Sequence, residues 1–185
     1  LAQRERVRAL QGRVPSMRLL HGTELNIDPD GGVDWDDAFL EGFDLTVASV
    51  HSHFGQSREQ MTRRVIRAIE NPRVHIIGHL TTRKIGRRDP VDLDLEAVFE
   101  AAGRTGTALE INAYPDRLDL RDEHVLWARR HGVRFAIDTD AHAVGHLDMM
   151  RFGVATAQRG WLTKDDVINA WPITKLQRFL RKGGS

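Results

Sequence analysis

Five short apolar runs, each delivering a histidine, glutamate or aspartate at its end, constrain this chain more than any other feature. They are Leu19-Leu20 leading to His21 and Glu24, Leu45 to His51, Val74 to His79, Thr107 to Glu110, and Phe135-Ala-Ile-Asp-Thr-Asp140-Ala-His142. Segments with helical signals separate most of them. Ser57 with Gln60 three residues on is a capping box, and Met61, Val65, Ile66 and Ile69 give the following helix its apolar face. Asp94 to Arg104 carries Leu95, Val98 and Phe99 and stops at Gly103 and Gly106. Arg121 to His131 carries Val125, Leu126 and Ala128 and stops at Gly132. Strands alternating with helices over short linkers require parallel pairing with helical crossovers. The expectation is an α/β fold, one domain over residues 1–185. Its polar groups would gather at the strand C-termini, where (β/α) barrels and open sheets both build their sites. Further helices are predicted over residues 1–13 (Ala2 to Gln11 at least), Asp34 to Gly42, Asp148 to Gln158, Lys164 to Asn169 and Pro172 to Leu180. A first strand is predicted over Met17 to Leu20, and residues 182–185 read as a frayed tail.

The chemistry follows from what the ends carry. The chain has no cysteine, so any metal must be held by nitrogen and oxygen. Glu24, His51, His79, Asp140 and His142 are the candidate ligands. Imidazole with carboxylate suits Zn, Mn or Fe rather than Ca. Any one of these histidines alone would read as structural; five ligand-type residues at equivalent strand ends read as a metal centre. Glu110 ends its strand in the same way and could be a ligand, a general base or a partner of a metal-bound histidine. Asn112 would share its face. His53 is a candidate for substrate contact or catalysis. His21, His75, His124 and His131 read as structural, and His146 is open between the two roles. Arg83, Lys84, Arg87 and Arg88 follow His79 in one loop, which suits phosphate contacts beside a metal rim. The net charge of +1 gives no global field toward nucleic acid or membrane. No apolar run approaches a membrane span and no signal peptide is visible, so the expected location is cytoplasmic, with no membrane partner.

Read together, Gly22-Thr-Glu24-Leu-Asn26, Val47-Ala-Ser-Val-His51-Ser-His53, Ile77-Gly-His79, Leu109-Glu110-Ile-Asn112 and Asp138-Thr-Asp140-Ala-His142 resemble the PHP (polymerase and histidinol phosphatase) family. Gln56 to Gln60, Ala68 to Pro72, Gly86 to Pro90, Pro115 to Leu120 and Arg159 to Leu162 are similar to the C-terminal PHP domain of bacterial family X DNA polymerases. The resemblance runs from about Leu19 to Leu180. It implies a distorted (β/α)7 TIM-like barrel, up to three divalent metal ions (Mn, Zn or Fe), and hydrolysis of phosphoesters. In the polymerase-associated members it implies manganese-dependent 3′-5′ exonuclease or DNA end-processing activity. The substrate would be DNA or, in the histidinol-phosphatase manner, a phosphorylated small molecule. The His-x-His strand end with which the family begins is absent here. The resemblance therefore implies an incomplete barrel lacking its first one or two strands, with fewer metals. Such a chain would be the C-terminal part of a longer protein, with a polymerase domain upstream, or a truncated and non-catalytic module. The open edge near Met17 to Leu20 would invite a homodimer or a covering helix. Leu80 and Tyr114 depart from the family's usual residues.

Overall fold

The structure is a computed structural model describing residues 2–181; the tail expected at 182–185 lies outside the described residues. Helix α1 (Ala2–Arg13) precedes five strands: β1 (Gly22–Asn26), β2 (Leu45–Ser49), β3 (Ile76–Ile77), β4 (Ala108–Asn112) and β5 (Phe135–Asp138). Between and after them come α2 (Asp37–Leu40), α3 (Arg58–Glu70), α4 (Leu95–Thr105), α5 (Asp122–Arg130), α6 (Met150–Arg159) and α7 (Ile173–Phe179). All four pairings are parallel and the sheet order is β1-β2-β3-β4-β5. A doubly wound sheet reverses its order at a switch point; this one does not, as in a sector of a TIM-like barrel.

Alternation along the strands separates the two faces. Leu25, Ala48, Ile77, Leu109, Ile111, Phe135 and Ile137 join Met61, Val65, Val98, Phe99, Val125 and Ala128 of the helices in one core. The other face starts apolar: Ile76, Ala108, Ala136 and Ile168 pack with Leu45, Val47, Trp171, Leu176 and Phe179. It ends polar, with Glu24, Asn26, Ser49, Glu110, Asn112 and Asp138 in register near the strand C-termini. Helix α7 thus plugs the lower half of the concave face and leaves the upper half to the site.

The capping box forms as read: the Ser57 side chain accepts from the Gln60 amide and Gln60 reaches back to the Ser57 amide. Three expectations need correction. Met17 to Leu20 is not a strand. Gln11 Nε2 donates to Met17 O (2.7 Å) and Leu19 N donates to Gln11 Oε1 (2.8 Å), so α1 satisfies this segment. The strand starts at Gly22 and carries Glu24 in its middle. The open edge accordingly belongs to β1. Lys164 to Asn169 is not an α-helix. Asp166 Oδ2 accepts from Thr163 N and Oγ1, and Val167 bridges Phe135 in parallel. The Asn169 amide then exchanges two bonds with the Ile137 backbone (3.1 and 2.7 Å). These contacts with the outer side of β5 hold the stretch extended, and a 3-10 turn (Ile168–Ala170) follows. A 3-10 turn at Val144–Met149 likewise precedes α6, where a helix was expected from Asp148.

Candidate metal centre

Three of the five expected ligands converge. Glu24 Oε1 lies 3.2 Å from His51 Nε2 and 3.2 Å from His79 Nε2. One ligand atom from each residue falls within 4.8 Å of the others. Each arrives from a different strand: Glu24 from the concave face of β1, His51 two residues past β2, His79 two residues past β3. Gly78 makes the last approach feasible, since a Cβ there would overlap Ser49 Oγ and lie 2.9 Å from Val47 Cγ1. His79 itself bends at φ 27° and Asp140 at φ 47°, left-handed conformations that side-chain-bearing residues adopt at a cost and that cluster at functional sites.

Hydrogen bonds fix the imidazole of His51. Asp34 Oδ2 accepts from Asn26 Nδ2 (2.7 Å), which turns Asn26 Oδ1 to His51 Nδ1 (2.7 Å). With its Nδ1 proton given to Asn26, His51 presents the Nε2 lone pair to a carboxylate. Two lone pairs facing each other at 3.2 Å need a positive charge between them, a proton or a metal ion. His79 is buried and its Nδ1 has no hydrogen-bond partner among the described residues. The contacts with His51 and then His79 hold the Glu24 carboxyl well below the usual carboxylate range. It stays anionic wherever a metal would compete with protons. This donor set, two imidazoles and a carboxylate, fits a divalent ion of the Zn, Mn or Fe kind. Because the Asn26 contact orients His51, Asn26→Ala is expected to weaken metal binding about 10–100-fold, read by chelator competition.

Asp140 and His142 line the same cleft, of about 370 Å³, with Lys84, Tyr114, Asp116, Arg117 and His146. They do not join the three-residue cluster. His142 Nδ1 lies 2.6 Å from the Asp140 carbonyl oxygen, and Asp140 Oδ2 is 3.5 Å from Asn112 Nδ2 and 4.0 Å from Arg117 Nε. A second grouping, Glu96, Glu100 and His131, sits on the outer helices.

Glu110 lies beneath the cluster, buried, and accepts the His79 backbone N–H. Burial first, and then the neighbouring Asp138, push its carboxyl up; burial also raises Asp138, and the two are hydrogen-bonded. In the unfolded chain such carboxyls titrate near 4. In the fold they keep a proton to higher pH, so the unfolded state releases its proton first and stability falls as pH rises through that interval. Glu110→Gln, with no proton to lose, is expected to gain melting temperature relative to the parent as pH rises above the ordinary carboxyl range of about 4, measured on chelator-treated protein.

His53 lies outside the cleft lining, with Nδ1 3.0 Å from Ser52 Oγ. The basic loop divides. Lys84 faces the cleft. Arg83 is spent on the carbonyls of Arg117 and Leu118. Arg88 donates to Thr82 O (2.8 Å) and sits 4.2 Å over the Phe54 ring. Arg87 is exposed. Sequence reasoning gave no role to Asn26 or Asp138, which the strand register alone could have placed, nor to Arg64. That arginine is buried in α3 and donates to Ile27 O, Ser52 O (3.0 Å) and Gln56 Oε1 (3.1 Å). No helix among the described residues is long and apolar enough to cross a membrane.

No family model matches the chain. It is 41% identical over 180 residues, 97% of its length, to a DNA polymerase/3'-5' exonuclease PolX of Bacillus subtilis, of which it spans 32%. It is 41% identical over 99 residues to a probable phosphatase of Syntrophotalea carbinolica, covering 52% of this chain and 39% of that one. A probable phosphatase of Thermoanaerobacter sp. is 27% identical over 187 residues, covering 95% of this chain and 73% of that one. The chain thus spans well under half the length of the first two.

Proposed function

We propose that this chain is a PHP-type phosphoesterase domain that binds divalent metal at Glu24, His51 and His79 and trims the 3′ end of single-stranded DNA. The observation that carries the reading is the convergence of three metal-type donors from three strands in a cleft that also holds Lys84 and Arg117. The names of the relatives, a 3'-5' exonuclease and probable phosphatases, support it. A divalent ion bound there supplies Lewis acidity to a phosphoryl oxygen and lowers the pKa of a water. The chain's own groups do the rest. Asn26 keeps the His51 lone pair aimed inward, Glu110 holds the backbone at His79, and Lys84 and Arg117 offset phosphate charge. Asp140 and His142 line the same cleft, and we propose them as ligands of a further ion. The longer relative is named a DNA polymerase as well as an exonuclease, and we propose the same setting for this chain.

Wild type and His79→Ala, each with Mn²⁺ and a labelled single-stranded oligonucleotide, test the reading. Loss of cleavage in the variant supports it; equal cleavage by both overturns it. The probable-phosphatase relatives favour a second reading, a phosphomonoester substrate. Steeply falling activity with added salt belongs to a nucleic-acid substrate, and flat salt dependence to the small ester.

A further inference from the structure

Tyr114 belongs to neither apolar core of the protein. It follows β4 and lines the metal cleft together with His146, which lies in the 3-10 turn after β5. Their rings meet edge to face with centroids 5.1 Å apart. Both are held from the backbone side. Tyr114 N donates to Asn112 Oδ1 (3.0 Å), and the Tyr114 carbonyl accepts from Arg117 N (2.8 Å) and Leu118 N (3.0 Å). His146 Nδ1 accepts the His142 N–H (3.2 Å). The exposed side chains of Val144 and Leu147 flank His146. A half-buried aromatic pair, fixed by its backbone and open to a polar cleft, adds little to the core and offers a flat surface to a ligand. Cations share that cleft: Lys84 and Arg117 line it, and the buried Arg117 Nη1 has no hydrogen-bond partner among the described residues.

We infer that Tyr114 and His146 form a stacking subsite for the unpaired base at the 3′ end of a single strand, while Lys84 and Arg117 face its phosphate. This deepens the proposed function and rests on it. Stacking on an aromatic ring is tolerant of base identity and suits single strands, whose bases are free to turn out. The cleft volume, about 370 Å³, is at the small end of ligand pockets, which run from about 300 to 1,000 Å³. That suits one nucleotide rather than a duplex.

The test separates binding from hydrolysis. Anisotropy of a 5′-labelled single-stranded oligonucleotide is measured without Mn²⁺, once with an ordinary 3′-terminal nucleotide and once with an abasic one. Wild type is expected to bind the base-bearing end about tenfold more tightly. Tyr114→Phe retains that preference and Tyr114→Ala loses it, with the melting temperature of each variant recorded to confirm folding. Equal affinity of wild type for the two ends, no binding of either, or a preference that survives Tyr114→Ala overturns the inference. Cleavage of the same oligonucleotides after Mn²⁺ addition reports on the phosphoesterase reading alone.

Discussion

Glu24→Gln is expected to empty the metal centre while leaving the fold in place. Glu24 Oε1 touches both imidazoles, at 3.2 Å each. Its carboxyl is held anionic by those same contacts. Gln keeps the shape and removes the charge, so the two imidazoles remain with no anion between them to balance a dication. The loss in affinity should exceed the roughly 10–100-fold that an outer partner is worth. The side chain is 42% exposed, so solvent screens much of what its contacts with the imidazoles contribute and the fold is expected to survive the substitution. Elemental analysis of protein purified without chelator, beside a thermal melt, checks both halves. Wild-type metal content in the variant would move the centre to Asp140 and His142.

Arg64→Ala carries the largest expected loss of stability. The guanidinium bridges Ile27 O just past β1, Ser52 O just past His51, and Gln56 before α3. Its relative exposure is 1%. Truncation leaves the buried Ile27 carbonyl unpaired, at about 1–3 kcal/mol, breaks the bond to the partly buried Ser52 carbonyl and removes the packing of the aliphatic stem. At about 2–4 °C per kcal/mol for a chain of this size, the melting temperature should fall by about 10 °C. Arg64→Lys should recover only part of this, because a point charge cannot span a fork of three acceptors. Metal affinity should fall with stability, since the same guanidinium ties the end of β1 to the turn that carries His51. An unchanged melt in Arg64→Ala would mean that water replaces the guanidinium at both carbonyls.

The parts of the fold legible in the sequence are those written in local patterns. The Ser57–Gln60 box, the apolar faces of α3 and α4 and the glycine stop at Gly106 depend on neighbours within a few residues, so reading them needs no tertiary knowledge. Where the pattern misled, a distant partner had intervened. Met17 to Leu20 looks like a strand until Gln11 takes its backbone groups. Lys164 to Asn169 looks helical until the open side of β5 claims Val167 and the Asn169 amide. β1 itself was placed too early in the chain because Leu25 is its one apolar residue beyond glycine, while Glu24 and Asn26 turn to the concave side.

The candidate site divides along the same line. Residue type and strand-end position were enough to select Glu24, His51 and His79 and to predict a cysteine-free, nitrogen-and-oxygen donor set. They did not show that Arg83 is tied to the carbonyls of Arg117 and Leu118 and Arg88 to Thr82, leaving Lys84 at the cleft. Sequence alone also left Asp140 and His142 equivalent to the other three; the structure sets them along the cleft instead. Periodicity and spacing determined an alternating α/β chain with its chemistry at one rim. Which donors share a point depends on register between strands distant in the sequence, on a backbone bent at His79, and on the hydrogen bonds that turn each ring. Those are relations between segments, set when the sheet assembles, and no local pattern encodes them.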